Sequence, residues 1–300
     1  MSDDDELRDL LTEAVADVEP AYRLDAIRAR TSRPPRRRGW YAAGGAILAA
    51  AAVVTAVSVV NDDGRPRREA PASNGEHAVA LYFVGDTPAG PRLYREFQRL
   101  PRSGGALAAL EAITTRHGPD DPDYTSSWPG GSFKSVTVRD SRIDVELDPV
   151  AREVSGRLAV QQVVFTVQAA TGTQLPVQLR SDGAEDVLVE RAPENDVLSL
   201  VSISDPAEGL HVSGTFVARG RANSYEATVP WEIRASDGTV VENGFATAVG
   251  SVDRLYPWET ERIRVSDLNP GTYTFVAMTD DPSGGEGRGP FTDTRTIIVD

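Results

Sequence analysis

The sequence predicts an α+β domain followed by an all-β sandwich, both placed behind one N-terminal transmembrane helix. Three observations predict this arrangement. An apolar run without charge occupies residues 39–60, two helix-like stretches lie among alternating strands in residues 77–190, and short strands separated by turn residues fill residues 197–300. A chain of 300 residues is long enough for two domains of ordinary size.

The composition disfavours or excludes several kinds of function. The formal net charge is -14, whereas a nucleic-acid-binding protein is normally basic. The acidic balance also disfavours anionic headgroups, so any membrane attachment should depend on inserted apolar residues. The chain has no cysteine, which excludes disulfides, thiolate zinc ligands and a cysteine nucleophile.

The apolar run at residues 39–60 is predicted to be a membrane anchor. Its 22 uncharged residues would form a helix roughly 33 Å long, enough to cross a hydrocarbon core of about 30 Å. A cleavable signal peptide is the alternative, but 38 residues precede the run and signal peptides begin with a short charged region. Six arginines lie within fifteen residues before the run and three within fifteen after it, which predicts a cytoplasmic N-terminus and extracytoplasmic domains.

Residues 1–38 are predicted to form a cytoplasmic tail with an amphipathic helix. Ser2 and the aspartates after it supply N-cap and helix-dipole chemistry. A tail of this length cannot bury an apolar stripe by itself, so the stripe could dock a cytoplasmic protein or a second copy. Alternatively, it could lie on the inner membrane face or fray in water. The apolar positions at helical spacing are Leu7, Leu10, Leu11, Ala14, Val15 and Val18.

Residues 61–76 are predicted to be a polar linker, and residues 77–190 the α+β domain. The predicted order is ββ-α-ββ-α-β, which favours helices on one face of a sheet. An acidic loop at residues 120–131 separates the first helix from the second pair of strands. The predicted elements are strands at 77–84 and 93–100, a helix at 103–115, strands at 135–138 and 143–147, a helix at 157–170 and a strand at 176–179.

Residues 191–196 are predicted to be a short link, and residues 197–300 an all-β sandwich. Gly220 and the Asp237-Gly238 pair are among the expected turn signals, and the latter suits a hairpin. Trp231 lies in an alternating strand and is predicted to be a core residue. The seven predicted strands are at 198–204, 211–218, 224–234, 239–246, 261–265, 272–279 and 295–299.

Two segments resemble known domain families. The stretches ALEAITTRHGP, WPGGSFKSVTVRDSRIDVELD and LPVQLRSDG resemble the GerMN domain, the sporulation and spore germination domain of bacterial envelope proteins. The stretches ISDPAEGLHVSGTFVARGRANSYEATVPWEIRASDGTVVENGF and NPGTYTFVAMTDDPSGGEG are similar to the immunoglobulin-like domain of bacterial spore germination proteins. The resemblance implies an envelope protein and brings no catalytic residue set. Members of the first family often follow a lipoprotein signal, whereas this chain has an apolar run and no cysteine to carry a lipid.

Catalytic chemistry has little support in the sequence. The histidines His77, His117 and His211 lack the spacing of metal ligands, and no serine lies in a nucleophile-elbow motif. His117 could form a dyad with Asp120 or Asp121, but surface loops are often this polar. We therefore expect no catalytic residue and no cofactor.

Two acidic loops could hold calcium through carboxylate oxygens, although neither matches the spacing of an EF-hand. Aspartate and glycine are also ordinary turn formers, so we expect no metal site. The candidate ligands are Asp120, Asp121 and Asp123 in one loop and Asp280, Asp281 and Glu286 in the other.

Two tryptophans are the candidate binding residues. Trp128 and Trp258 stand in loop-like contexts beside Pro129 and Pro257. An exposed indole there could stack on a sugar or anchor a protein partner. The alternative is that each indole is buried in a core.

These observations predict a non-enzymatic, membrane-anchored protein that presents two extracytoplasmic domains to an envelope protein or a cell-wall polymer. The alternative is a single-pass transmembrane regulator whose tail helix docks a cytoplasmic signalling partner. That alternative predicts a dimer, because a single helix transmits a signal poorly. An envelope hydrolase would need a nucleophile or a metal set that the sequence does not show.

Overall fold

The structure is a computed structural model that describes residues 75–300 except for residues 184 and 282–285. The predicted tail, the predicted transmembrane helix and almost all of the predicted linker lie outside the described residues. No helix within the described part is long and apolar enough to cross a membrane. The described part is rich in strands and has few helices, as the sequence predicts.

The first domain contains two sheets and two main helices. Strand β1 pairs antiparallel with β2 along its whole length and with β3 at its end. The other sheet has the order β4-β5-β6-β7. The bounds are β1 Glu76–Gly85, β2 Arg92–Pro101, α1 Gly105–Ala112, β3 Tyr124–Thr125, β4 Phe133–Val138, β5 Ile143–Leu147, α2 Arg157–Thr171, β6 Val177–Ser181 and β7 Val187–Val189, with 3₁₀ helices at Arg102–Gly104 and Pro149–Glu153.

Helix α2 is the centre of the first domain. Strands β5 and β6 run parallel, so the chain must cross over between them, and α2 provides the crossover. Its valines lie in one core with side chains of β1, α1 and β5, including Leu81, Leu110 and Ile143. Its glutamines are buried as well, because the chain after β7 covers the remaining side of the helix: the Gln161 amide donates to Glu190 O at 3.0 Å. A helix covered on several faces loses the usual polar stripe.

The second domain contains a five-stranded sheet of order β13-β12-β16-β17-β9 and a three-stranded sheet of order β14-β11-β8. Its core holds alternating side chains of both sheets, including Ile203, Trp231, Phe275 and Ile297. The bounds are α3 Glu194–Val197, β8 Val201–Asp205, β9 Leu210–Val212, β10 Thr215–Phe216, β11 Arg219–Ala222, a 3₁₀ helix at Tyr225–Ala227, β12 Thr228–Arg234, β13 Val240–Thr247, β14 Tyr256–Glu259, β15 Ile263–Arg264, β16 Gly271–Met278 and β17 Thr292–Val299.

Two strands of this domain, β11 and β14, were not predicted, and they pair with each other. Gly220 was expected in a turn, but it lies in β11 opposite Trp258 of β14, which was expected in a loop. A Cβ atom on Gly220 would lie 2.6 Å from the Trp258 indole and would overlap the Ser202 carbonyl oxygen. Glycine therefore occupies this position because the backbone must approach the indole closely.

Candidate functional site at the domain junction

The predicted link at residues 191–196 is built into the structure. Helix α3 begins within it, and Val197 and Leu198 directly after it are buried. They lie in an apolar cluster with side chains from both domains, so the link does not act as a loose tether. The buried members of this cluster are Tyr82, Leu93, Phe165, Val197, Leu198 and Leu255.

Polar contacts fix the link as well. The Arg191 guanidinium lies 3.7 Å from the centre of the Phe165 ring and donates to Glu194 at 3.1 Å. Glu194 also accepts from Arg221 at 3.3 Å and from the Leu255 backbone N–H at 3.4 Å. Burial raises the pKa of the Glu194 carboxyl, but the guanidiniums of Arg221 and Arg191 outweigh it and hold the pKa below its usual value.

A second, charged cluster joins the acidic loop of the first domain to β17 of the second. We call it the junction cluster; it consists of Asp121, Tyr124, Asp293 and Arg295. All four side chains are buried, and Arg295 is only 2% exposed. Its Nη1 donates to Asp121, to the Tyr124 hydroxyl at 2.9 Å and to Asp293 at 3.1 Å. One guanidinium thus binds groups of both domains.

The remaining bonds of the junction cluster hold its acids in place. The Tyr124 hydroxyl donates to Asp293 Oδ1 at 2.5 Å, and the Ile203 backbone N–H donates to Asp293 Oδ2 at 2.5 Å. Arg295 Nη2 donates to the Ile203 carbonyl at 3.1 Å. Buried charges are tolerated when they are paired and hydrogen-bonded in this way.

Tyr94 and Asp123 extend the contact around the junction cluster. The Tyr94 ring stacks on Tyr124 at 4.9 Å between centroids, and its hydroxyl donates to the Thr292 carbonyl at 2.9 Å. The Thr294 hydroxyl donates to Asp123 Oδ2 at 2.7 Å. Three consecutive residues of β17, Thr292 to Thr294, therefore bind side chains of the first domain.

The conformation of the acidic loop is set inside the first domain. Glu96 of β2 is buried, and its carboxylate accepts from the backbone N–H groups of Asp120 at 3.0 Å and Asp121 at 3.1 Å. Asp121 in turn accepts from the Asp123 N–H at 2.8 Å. The loop is therefore organised by its own domain, and it presents Asp121 and Asp123 to β17.

The junction cluster has two carboxyl groups for one guanidinium. Burial raises the pKa of Asp121 to about 7, although Arg295 opposes the shift. Burial also raises the pKa of Asp293, and Arg295 and the Tyr124 hydroxyl oppose that shift. With a pKa of about 7, the Asp121 carboxyl titrates near neutral pH, so the charge balance of the junction depends on pH.

The predicted binding tryptophans are both buried. Trp128 is 2% exposed, packs against Phe133 at 5.0 Å and donates from Nε1 to the Ala159 carbonyl at 3.0 Å. Trp258 is 3% exposed and lies on Gly220. These indoles present no face on which a sugar or protein could stack in this structure, so burial supports the core interpretation for both, and it confirms it for Trp231.

Two of the three acids considered for calcium in the acidic loop bind residues of β17 instead. Asp121 binds Arg295 and Asp123 binds Thr294. The dyad considered for His117 does not form with Asp121, whose carboxylate binds Arg295. The other acidic stretch, residues 280–286, is only partly described. Across the described ranges, no group of three histidine, aspartate or glutamate side chains is arranged to hold a metal ion.

Sequence reasoning missed Asp293 and Arg295, although a signal was present. In β17 the buried positions alternate, and they are Asp293, Arg295, Ile297 and Val299. Residues two apart in a strand share a face, so the two charged residues occupy the same buried face as the two apolar ones. A charged pair in phase with core residues indicates a buried ion pair that needs a partner from elsewhere in the chain.

Comparisons with known proteins agree with the arrangement of the two domains. Residues 80–187 match the family described as sporulation and spore germination. Residues 200–286 match the family described as the immunoglobulin-like domain of bacterial spore germination. No curated protein is detectably similar in sequence to this chain.

Solved structures with similarity to the chain include two natural proteins. The tandem GerMN domains of the sporulation protein GerM from Bacillus subtilis are 12% identical, with a TM-score of 0.33, and the match covers 42% of this chain and 48% of that one. This chain thus spans about half the length of the GerM structure. CopC from Methylosinus trichosporium OB3b is 18% identical, with a TM-score of 0.23, over 33% of this chain and 93% of that one.

Proposed function

Because the chain carries a sporulation and spore germination domain followed by an immunoglobulin-like domain of bacterial spore germination, we propose that it is a non-enzymatic, membrane-anchored assembly protein of the bacterial cell envelope. The two domains lie outside the cytoplasmic membrane and are presented as one body. The partner is an envelope protein or a cell-wall polymer. The charge-free run at residues 39–60 and the arginines before it support the anchor and its orientation.

The observation that carries the proposal is the buried junction. Domains that close over a substrate are usually joined by an exposed, polar hinge, and relative motion is expected unless the interface is apolar and extensive. Here the link is buried in an apolar cluster, and Arg295 binds both domains. A rigid pair suits the presentation of a binding surface, because less freedom is lost when a partner binds.

The junction cluster also supports a non-enzymatic role. An acid with a raised pKa is often a catalytic residue, and Asp121 has that property. However, Asp121 is 1% exposed and its carboxylate is bonded to Arg295 and to the Asp123 N–H. A group with no access to solvent and with its oxygens in use stabilises the structure rather than attacking a substrate.

The first experiment tests the anchor and the orientation. The chain has no cysteine, so single cysteines can be placed without a background. Leu188→Cys lies in β7 at a side chain that is 55% exposed, and Ala14→Cys lies in the predicted tail. With a membrane-impermeant maleimide, we expect Leu188→Cys to be labelled in intact cells and Ala14→Cys only after lysis. Labelling in the opposite pattern, or recovery of the chain outside the membrane fraction, would contradict the proposal.

The second experiment tests the partner class. Full-length protein carrying a crosslinker is mixed with purified cell-wall polymer and with solubilised envelope proteins. We expect one of these to be captured, and capture should survive Leu10→Asp with Leu11→Asp in the tail. Capture that requires the tail stripe would favour the regulator that docks a cytoplasmic partner.

A further inference from the structure

The guanidinium of Arg95 is a cation that forms no ion pair with any carboxylate of the described residues. Arg95 is half-buried in β2, on the side that meets β8 of the second domain. Its Nη2 donates to the Ser204 hydroxyl at 2.7 Å, and no other hydrogen bond joins its side chain to the described part of the chain. Its Nε is buried and has no hydrogen-bond partner there. Buried polar groups and charges are normally paired, so this guanidinium lacks an acceptor.

The charges around Arg95 do not supply that acceptor. Burial lowers the pKa of the Arg95 guanidinium and the charge of Arg221 lowers it further, whereas Tyr82 and Glu194 oppose the shift. Glu194 is bonded to Arg191 at 3.1 Å and to Arg221 at 3.3 Å instead. Three guanidiniums thus act on one carboxylate, which leaves an excess of two positive charges in a chain of net charge -14. We call this group the arginine site; its members are Arg95, Arg191, Glu194, Ser204 and Arg221.

A neighbouring arginine shows how such a residue is neutralised elsewhere in the same region. Arg219 of β11 is half-buried as well, and it bonds Asp205 at 3.3 Å and Glu259 at 2.6 Å. Its charge is therefore balanced inside the fold. Arg95 has a neutral hydroxyl where Arg219 has two carboxylates, so its partner must come from outside the described residues.

The arginine site opens to solvent along one face of β2. Arg95, Phe97 and Arg99 share this face, because alternate residues of a strand point the same way. The Arg95 guanidinium lies 5.0 Å from the centre of the Phe97 ring, which is 41% exposed. Arg99 is exposed too. An anion can therefore approach Arg95 over a surface that carries an aromatic ring and a second cation.

We propose that the arginine site binds a phosphate group, with Arg95 as its main donor. A guanidinium presents its N–H groups as a planar fork that matches phosphate oxygens, and such charge-assisted hydrogen bonds are strong. The Ser204 hydroxyl accepts from Arg95, so its own O–H remains free to donate to another oxygen of the same group. A phosphate has oxygens left for this hydroxyl once the fork is filled, which favours it over a carboxylate. Arg191 and Arg221 keep their bonds to Glu194 and contribute their charge.

Two sources can supply the phosphate group: free inorganic phosphate and a cell-wall polymer with a phosphodiester backbone. Only the second source rests on the proposed function, because it requires the site to lie outside the membrane. Arg99 distinguishes the two sources. It is four residues from Arg95 on the same face, about 13 Å along the strand, which is too far for one phosphate to bind both. A polymer with successive phosphates can use both arginines.

Titration calorimetry of the purified full-length chain with inorganic phosphate tests the site. The ionic strength is held constant with chloride, because salt screens exposed charges. We expect saturable binding to the unmodified chain and at least about tenfold weaker binding to Arg95→Gln, which loses hydrogen bonds between charged groups. Arg264→Gln, at an exposed arginine of β15, is the matched control and should bind as the unmodified chain does. No saturable binding to the unmodified chain, or equal binding to Arg95→Gln, would overturn the proposal.

Nuclear magnetic resonance of the unmodified chain gives a readout that does not depend on how a variant folds. We expect the Arg95 Nε–H resonance to shift on addition of inorganic phosphate and to stay in place on addition of chloride at equal ionic strength. An unchanged Arg95 resonance under conditions where calorimetry detects phosphate would show that the anion binds elsewhere, and the proposal would be wrong.

Poly(glycerol phosphate) and the neutral polysaccharide dextran distinguish the sources. If the polymer is the ligand, it should bind more tightly per phosphate than inorganic phosphate, and Arg99→Gln should weaken only the polymer. If the free anion is the ligand, inorganic phosphate should bind and the polymer should not. Dextran that binds as tightly as the polymer would exclude recognition of phosphate. The labelling of Leu188→Cys in intact cells tests the proposed placement separately, so failure of either idea can be recognised.

Discussion

Arg295 lies where the two domains meet, and its guanidinium binds Asp121 and Tyr124 of the first domain and Asp293 of the second. A pair of buried carboxyl groups without this cation would be costly, because each would lose its main opposite charge. The contribution of such a residue is seen best by removing it alone, since replacing a whole buried ion pair by apolar groups is often neutral.

We predict that Arg295→Met lowers the free energy of unfolding by about 3–5 kcal/mol, the range for a buried ion pair that loses one partner. Urea denaturation of the full-length protein measures this change. Arg264→Met, an exposed arginine of β15, is the matched control and should change stability by less than about 0.5 kcal/mol. A similar small change in both variants would show that the junction cluster contributes little to stability.

Asp121 makes stability depend on pH. Its pKa rises from an ordinary value of 3.8 to about 7 on folding, so the folded state binds more protons than the unfolded state between these values. Stability therefore falls as pH rises through this window and levels off above pH 7. The pKa of Asp293 is also raised, whereas the pKa values of Glu194 and Asp144 are lowered. The last two groups therefore reduce stability only as the pH falls below about 4.5.

We predict that the free energy of unfolding is about 2 kcal/mol higher at pH 5.5 than at pH 8, since each pKa unit corresponds to about 1.4 kcal/mol. The melting temperature should be higher at pH 5.5 accordingly. Asp121→Asn should remove most of this difference, because an amide does not titrate. Melting curves of both proteins at the two pH values measure it. A wild-type protein that is more stable at pH 8 would contradict the assignment.

At the scale of elements, the second domain uses a repeated pairing of glycine with tryptophan. Gly220 lies opposite Trp258, and Gly244 lies opposite Trp231. A Cβ atom on Gly244 would lie 2.5 Å from the Trp231 indole, and its three nearest atoms would all belong to that ring. Each glycine leaves room for a large ring to lie across the neighbouring strand, so ring and glycine are coupled.

We predict that Gly244→Ala destabilises the protein by about 1–3 kcal/mol through overpacking. In a Trp231→Leu background, the same change should cost less than about 0.5 kcal/mol, because the smaller side chain frees the space. A double-mutant cycle measured by urea denaturation gives the coupling. Equal costs in both backgrounds would show that the glycine is required for another reason.

Five strands and two helices of the first domain were predicted in the right order, because the strands alternate and the helices have helical spacing. Strands β3 and β7 were not predicted, because with two and three residues they are too short to show a pattern. Strands β11 and β14 of the second domain were not predicted either, because Gly220 and Pro257 look like turn residues in a single sequence. Strand β14 is an edge strand, where proline is tolerated. Gly220 is needed because the Trp258 indole, distant in the sequence, packs against it. The junction cluster was hidden for the same reason: Asp121 and Arg295 are 174 residues apart, and only the fold brings them together.

At the scale of the whole molecule, the link and the junction cluster make the two domains depend on each other. The apolar cluster around Leu198 and the ion pairs of Arg295 both join the two domains, so separating the domains would break both. Their opening should therefore need a large part of the free energy of unfolding rather than the small amount of a free hinge.

Limited proteolysis by trypsin would show this dependence at Arg191, a link residue whose side chain is 21% exposed and which is bonded to Gln168 and Glu194. We predict that Arg191 is cut at least ten times more slowly than Arg139, which lies in the exposed turn after β4 with a 58% exposed side chain. Leu198→Ala combined with Arg295→Met should speed cleavage at Arg191 and leave cleavage at Arg139 unchanged, because only the junction is weakened. Rapid cleavage at Arg191 in the unmodified protein would mean that the domains hinge freely, and the presentation of a rigid pair would then be wrong.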